Sequence, residues 1–173
     1  MKVIEAPSLE MWEEVAGQCE WATFYHSPLW SKVLTETYSH YLISAKGFLF
    51  DDGSKALLPL IGYKRGSFLR KKVRLKSIGK GSYGGLVATG NWNEDKNEQV
   101  YNWLKSCGAS IYIDGNPFFP YDLPACVSSE QISTYALRLD TSIDGIWKGF
   151  SSGHRKSIKK ASRMGVTVRK ATS

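Results

Sequence analysis

The order of its predicted helices and strands is the feature that most constrains how this 173-residue chain folds. The pattern opens with a strand over 3–6 and two helices, the second begun by a serine cap and a proline at Ser27-Pro28. Three strand-like runs follow, then a helix over 93–106, a short buried strand over 109–114 and a further strand over 133–140. A D-D-G-S turn joins the first two runs, and the three runs over 41–50, 55–63 and 73–78 predict an antiparallel meander. The predicted fold class is therefore α+β, a mainly antiparallel sheet flanked by helices.

Both early helices carry apolar residues at helical spacing, which predicts the face that each one buries. The first helix is capped by Ser8, and its predicted buried residues are Met11, Trp12, Val15 and Cys19. The predicted buried residues of the second helix are Trp30, Val33, Leu34 and Thr37.

A second unit is predicted after residue 140. A cap at 141–142 opens a helix, and the Ser-Ser-Gly sequence at 151–153 predicts a kink in it. Residues 166–169 read as a strand that opens a unit and has no partner after it, which indicates a domain cut short. We therefore expect a first domain over 1–140 and, over 141–173, the helix and first strand of a truncated second domain.

The composition predicts a packed protein without a metal site. Apolar residues make up 42% of the chain and charged residues 23%, values unlike those of disordered, collagen-like or coiled-coil chains. The three cysteines are far apart and the three histidines have no ligand spacing, so neither a disulfide framework nor a metal site is expected. The N-terminus lacks the apolar segment of a signal peptide, and no apolar run is long enough to cross a membrane. A cytoplasmic location is expected.

The net charge of +7 is concentrated in two basic clusters. Eight bases and no acid lie in 64–80, and seven bases and no acid lie in 155–170. Such clusters suit a phosphate-bearing partner, and they equally suit solvated surfaces of a strand and a helix.

Three glycines, Gly79, Gly81 and Gly84, satisfy the G-x-G-x-x-G pattern of dinucleotide-binding loops. No helical pattern follows them directly, so a glycine-rich turn between strands is favoured over a phosphate-binding loop. Ser82 and Tyr83 are expected at an exposed, tight turn.

Two further features carry polar groups suited to a site. Asp114 ends a strand-like run where a loop begins, a position typical of both functional and turn-capping carboxylates. Arg155, Lys159 and Arg163 recur every fourth residue and share one helix face, which either follows a row of phosphates or keeps the helix soluble.

Three segments resemble the FemAB/FemX-type acyltransferases, which include the aminoacyltransferases that build peptidoglycan bridges. They are F-Y-H-S-P-L-W-S-K-V-L over 24–34, continuing to the T-Y at 37–38, S-Y-G-G-L-V-A over 82–88, and H-R-K-S-I-K-K-A-S-R-M-G-V-T-V over 154–168. The most specific motif is R-x-x-I-x-K-A, formed by Arg155, Ile158, Lys160 and Ala161. The resemblance spans nearly the whole chain.

The resemblance implies an acetyltransferase (GNAT)-like first domain on the acceptor side and the start of a second such domain. The implied reaction moves an aminoacyl or acyl group onto an amine of a cell-wall precursor or an envelope polysaccharide, in the bacterial cytoplasm near the inner membrane surface. The donor would be aminoacyl-tRNA or acyl-CoA, with no permanently bound cofactor.

The resemblance also implies roles for individual residues. Lys32 would contact the phosphate of the acceptor, with Trp30 supporting it, and Asp114 would handle the acceptor amine. The remaining expected substrate-binding residues are Tyr83, Arg155 and Lys159.

Other functions stay open at this point. The basic clusters are also compatible with a non-catalytic module that binds nucleic acid or another polyanion. An acyl-CoA-dependent N-acyltransferase that modifies a small amine or a polysaccharide is a third possibility. Because most of the donor site belongs to the second domain, this polypeptide alone is expected to be inactive, and it could form a homodimer.

Overall fold

A computed structural model describes residues 1–63, 74–77, 82–131, 133 and 140–169 of the chain. Gly79, Gly81 and nearly all of the strand predicted over 133–140 lie outside the described residues. The predicted basic residues outside them are Lys64, Arg65, Arg70, Lys71, Lys72, Lys80 and Lys170. The chain divides into two compact units, Met1–Ser129 and Glu130–Ser173.

The first unit is α+β. Its helices are α1 (Leu9–Gln18), α2 (Pro28–Thr37) and α3 (Glu94–Ser106), and a short 3-10 turn, Phe24–His26, precedes α2. Its strands are β1 (Lys2–Ile4), β2 (Tyr41–Ile43), β3 (Lys46–Leu49), β4 (Lys55–Leu58), β5 (Leu60–Tyr63), β6 (Arg74–Ser77), β7 (Val87–Thr89) and β8 (Ser110–Tyr112). The N-caps are Ser8, Ser27 and Asn93, which confirms the predicted starts of all three helices.

The strands form two four-stranded sheets. The first sheet has the order β1-β3-β4-β7 and is antiparallel throughout. The second has the order β2-β5-β6-β8, in which only the last pair, β6 and β8, is parallel. The predicted α+β class with mainly antiparallel pairing is confirmed.

One long hairpin supplies strands to both sheets, where the sequence predicts two uninterrupted strands. The pairing register is the same on both sides of Pro59, with Lys46 opposite Leu58 and Ile43 opposite Ile61. Proline has no N–H to donate, so it interrupts the ladder and divides each long strand in two. The Ser44 N–H still donates to the Leu60 carbonyl at 2.8 Å, which keeps the two halves in register.

Helices cover both faces of this hairpin. Successive residues of a strand point to opposite faces, so Leu57 packs with α1 and α2 while Ala56 and Leu58 pack with α3. The cluster on the α1 side contains Met11, Trp12, Val15, Cys19, Leu34, Ala45, Leu57, Ile61 and Val87. The cluster on the α3 side contains Phe48, Ala56, Leu58, Leu60, Leu75, Leu86, Ala88, Trp92, Val100, Tyr101 and Leu104.

Two burial predictions are wrong. Of the apolar face predicted for α2, only Leu34 is buried, and Val33 is exposed. The strand predicted to be buried over 109–114 is β8, in which Ser110 and Tyr112 are exposed. The two exposed residues alternate with the half-buried Ile111, so they lie on one face of the strand and that face is open to solvent.

The second unit contains α4 (Ile143–Gly149) and α5 (Ser152–Arg163) in its described part. Ser142 caps α4, and Ser151 starts a separate helix where the sequence predicts a kink. The strand predicted over 166–169 does not form, because no strand among the described residues pairs with it. None of the described residues of this unit is buried.

Candidate functional site

Four aromatic side chains of the first unit, Phe24, Tyr25, Trp30 and Tyr83, lie together and are called the aromatic cluster below. The ring centroids of Tyr25 and Trp30 are 5.3 Å apart, and those of Phe24 and Trp30 are 5.9 Å apart. Tyr83 joins them through Tyr25, with centroids 6.1 Å apart. Two of the segments that carry the family resemblance, 24–38 and 82–88, therefore meet in space.

A buried histidine fixes the Phe24–His26 turn beneath the aromatic cluster. The Thr23 N–H donates to Nδ1 of His26 at 3.0 Å, so the hydrogen of the neutral ring is on Nε2. The His26 carbonyl accepts a 2.6 Å hydrogen bond from Nε1 of Trp12. Burial lowers the pKa of His26, and the main chain of Gly84 partly offsets this effect. We conclude that His26 is a neutral support for the turn.

The segment that carries Tyr83 is packed on both sides, which corrects the prediction of an exposed turn. Ser82 is buried, with 6% of its surface exposed, and Tyr83 is half-buried. The Gly84 N–H donates to the Asp114 carbonyl at 2.7 Å, and Nε1 of Trp21 donates to the Leu86 carbonyl at 2.9 Å. These long-range bonds hold the segment between Trp21 and Asp114, which follows β8.

Asp114 forms an ion pair that the sequence did not indicate. Its Oδ2 lies 3.1 Å from Nζ of Lys76, and that ammonium lies 5.1 Å from the ring centroid of Tyr112. The Asp114 N–H also donates to Oγ of Ser77 at 2.8 Å. Burial alone would lower the pKa of Lys76, but the hydrogen bond and charge of Asp114 outweigh it and raise that pKa. Lys76 is therefore a firmly charged partner of Asp114.

Trp30, Tyr83 and Asp114 thus belong to one region, since Asp114 is hydrogen-bonded to the residue that follows Tyr83. Nε1 of Trp30 is buried and has no hydrogen-bond partner among the described residues. Trp92 and Asn97 also carry a buried polar atom without a partner among the described residues, so this feature does not by itself mark a site.

Of the other predicted site residues, Lys32 belongs to the first unit, and Arg155 and Lys159 belong to the second. Lys32 is exposed on α2, with Nζ 3.8 Å from Oε1 of Glu36, and residues two apart on a helix do not face each other, so it does not share the side of Trp30. Arg155 and Lys159 belong to α5 in the second unit. Nη1 of Arg155 donates to the carbonyls of Lys148 and Phe150 at 2.9 and 2.8 Å, which joins α5 to the end of α4. Lys159 is exposed.

The start of α3 is poorly suited to phosphate. Glu94 and Asp95 occupy its first turn, where their negative charge opposes an anion at the positive end of the helix dipole. Lys96, in the same turn, is paired with Asp52 and lowers the pKa of that carboxyl. We find no site for the pyrophosphate of acyl-CoA at this helix.

A shallow groove of about 430 Å³ lies on the α1 side, and its lining includes Glu13, Phe24 and Leu29. Of the residues described around the aromatic cluster, it contains Thr23 and Phe24. Among the described residues, no three His, Cys, Asp or Glu side chains are placed to bind a metal ion. No helix in the described ranges is long and apolar enough to cross a membrane.

The chain matches no protein-family model, no curated protein and no solved structure.

Proposed function

We propose that the Met1–Ser129 unit is the acceptor-binding side of a FemAB-like transferase with a GNAT-like fold. The reaction moves an aminoacyl or acyl group onto an amine of a phosphate-bearing cell-wall precursor or envelope polysaccharide. One observation carries the proposal. The segments 24–38 and 82–88, which resemble this family at separate places in the sequence, meet in the aromatic cluster, and the main chain of Asp114 bonds to Gly84, the residue after Tyr83.

The topology supports the proposed fold. A strand, two helices and an antiparallel run are followed by a helix that leads to β8, parallel to β6. Parallel neighbours need such a crossover, and ligands of open sheets bind beyond the carboxyl ends of strands. Lys76 lies near the carboxyl end of β6, and Asp114 follows β8.

The proposed chemistry needs little beyond alignment of two reactants. Asp114 holds the acceptor amine as an ammonium and accepts one of its protons. The nitrogen then bonds to the carbonyl carbon of the donor, and the bond from that carbon to the ester oxygen or thioester sulfur breaks. The leaving atom takes the electron pair, and the second proton lost by nitrogen neutralises it. No covalent enzyme intermediate is required.

The proposal keeps both aminoacyl-tRNA and acyl-CoA as donors, because most of the donor site would belong to the second domain. Under this proposal the aromatic cluster positions the acceptor and excludes water. Lys32 lies on another side of α2 than Trp30, so its expected contact with the phosphate requires an acceptor that extends around the helix. Lipid-linked or nucleotide-linked precursors would be met in the cytoplasm, near the inner membrane.

The proposal predicts that Tyr83→Ala weakens binding of a nucleotide-linked muropeptide by about tenfold. Loss of an aromatic contact in a partly buried cluster costs roughly 1 kcal/mol in addition to lost burial, and 1.4 kcal/mol corresponds to tenfold. Calorimetric titration of this chain with the muropeptide measures the change.

The matched control is Tyr38→Ala, which removes the same side chain at the other end of α2 from Trp30. We expect that variant to bind within about twofold of the unaltered protein. Equal affinities of the Tyr83→Ala variant and the unaltered protein would contradict the role of the aromatic cluster. If the Lys32→Ala variant binds the muropeptide as tightly as the unaltered protein does, the phosphate contact of Lys32 is wrong and the rest of the proposal stands.

A second candidate function is binding of nucleic acid or another polyanion, favoured by α5. This helix carries five bases and no acid, namely Arg155, Lys156, Lys159, Lys160 and Arg163. Binding through phosphate contacts falls steeply as salt rises and depends little on the rest of the ligand. Binding of that kind, unaffected by Tyr83→Ala, would favour this candidate over the transferase.

A further inference from the structure

One face of the second sheet presents an ion pair between exposed tyrosine rings. Ile61 pairs with Lys76 and Lys76 with Tyr112, so Tyr63, two residues after Ile61, lies on the same face as both. Tyr63 is 41% exposed and Tyr112 is 61% exposed. Burial and the hydrogen bond with Tyr41 raise the pKa of Tyr63, so this ring stays neutral. We call the surface formed by Tyr63, Lys76, Tyr112 and Asp114 the open face.

The Lys76–Asp114 pair is partly withdrawn from water but remains reachable. The side chains of Lys76 and Asp114 are 27% and 20% exposed, and their charged atoms Nζ and Oδ2 are 3.1 Å apart. An ammonium has three N–H donors and a carboxylate has two oxygens, so one ion pair leaves capacity on both partners. Charge-assisted hydrogen bonds at such a site are stronger than those between neutral groups.

The spacing of these charges selects a kind of ligand. A molecule that carries an ammonium and a carboxylate on the same carbon presents two opposite charges about one hydrogen-bond length apart. Set against the open face in reverse polarity, its ammonium meets Asp114 and its carboxylate meets Lys76. A simple amine has a charge for Asp114 only. It brings no negative group for the Lys76 ammonium, so two positive charges then share one carboxylate.

The position in the fold supports a ligand site here. Lys76 and Asp114 lie toward the carboxyl ends of β6 and β8, the one parallel pair among the described strands, and in parallel α/β sheets ligands bind at that end. The flanking tyrosine rings offer apolar area for a short aliphatic side chain.

We propose that the open face recognises a free α-amino acid end group, with Asp114 binding its ammonium and Lys76 binding its carboxylate. The inference rests on the proposed function and deepens it, because it makes the acceptor an amine with a carboxylate on the same carbon. Lys76 then determines specificity for the carboxylate, a role separate from the amine handling assigned to Asp114.

The test is a nuclear magnetic resonance titration of the whole chain with three small probes. Norleucine carries both charges, norleucinamide lacks the carboxylate and N-acetylnorleucine lacks the ammonium. Both enantiomers of each are used, because the open face does not fix the hand of the ligand in advance. We expect the resonances of Tyr63, Lys76 and Tyr112 to shift, and the better enantiomer of norleucine to bind about tenfold more tightly than either blocked probe.

Variants separate the carboxylate contact from general charge. Lys76→Met is expected to remove the tenfold advantage of norleucine over norleucinamide, and Lys76→Arg is expected to retain most of it. The matched control is Arg74→Met, which removes an exposed cation two residues away on the same strand and face and should leave the advantage unchanged.

The results that would contradict the inference differ from those that would contradict the proposed function. Equal binding of norleucine and norleucinamide by the unaltered protein overturns the inference but leaves an amine site, and so the proposed function, in place. Shifts that saturate only at other residues, or no binding of any probe, also overturn the inference. The proposed function fails separately, if the muropeptide does not bind or if Tyr83→Ala does not weaken its binding.

Discussion

Replacing Phe48 by alanine is expected to lower the free energy of unfolding by about 3–5 kcal/mol, the usual cost of truncating a buried phenylalanine. Phe48 has no exposed surface and belongs to the cluster between the hairpin and α3. Its ring meets that of Trp103 edge to face, with centroids 5.4 Å apart. The substitution removes this contact and leaves a cavity that neighbours on two strands and a helix cannot fill.

Chemical denaturation of the two proteins, followed by tryptophan fluorescence, measures the change. The matched control is Phe118→Ala, because Phe118 is 55% exposed and the same substitution there is expected to cost less than about 0.5 kcal/mol. Similar losses at the two positions would contradict the packing of β3 against α3.

The second large effect concerns Asp114. We expect Asp114→Asn to weaken binding of an amine-bearing muropeptide by about 10- to 100-fold, since hydrogen bonds to charged groups contribute roughly 1.5–3 kcal/mol. Asparagine keeps the size of the side chain and the main-chain bonds to Ser77 and Gly84. The loss would therefore report the carboxylate charge, including its pairing with Lys76, rather than a collapse of the loop.

The control for overall charge is Asp51→Asn, at the exposed turn between β3 and β4. That variant also removes one negative charge, at a position distant from Asp114 in the sequence. It is expected to bind the muropeptide as tightly as the unaltered protein does. If Asp114→Asn binds the muropeptide as tightly as Asp51→Asn, Asp114 has no part in amine binding. Calorimetric titration at one ionic strength decides between these outcomes.

The sequence was sufficient for features set by local interactions. Ser8, Ser27 and Asn93 cap the helices they were expected to begin, because each cap bonds to a main-chain N–H three residues away. Pro59 was visible, but its consequence was not predicted. The two halves of the hairpin on either side of Pro59 keep one pairing register. They belong to two sheets because each half pairs with different neighbouring strands.

The candidate site was predictable only in part, because its contacts join distant segments. The glycine-rich turn, the end of a strand and the family resemblance single out Trp30, Tyr83 and Asp114. Nothing local shows that Tyr25 connects the first two. Lys76 was counted only as one member of a basic cluster. Its pairing with Asp114 depends on β6 and β8 lying parallel, with α3 between them in the chain.

Ser82 illustrates the opposite error. Glycines around it predict an exposed turn, but long-range hydrogen bonds from Gly84 and Trp21 bury the segment. Lys32 and Arg155 show that a motif position does not fix a contact, since Lys32 lies beside Glu36 and Arg155 joins α5 to α4.

The most direct test of an acceptor-amine site is a pair of titrations of this chain with a nucleotide-linked muropeptide, one with its amine free and one with it acetylated. Both are repeated at low and at high salt. We expect the free amine to bind at least about tenfold more tightly, with a ratio that salt changes little, because a specific hydrogen-bonded contact is screened less than surface charge. Equal affinity for the two forms, falling together as salt rises, would contradict an amine site at Asp114 and leave only binding of phosphate charge.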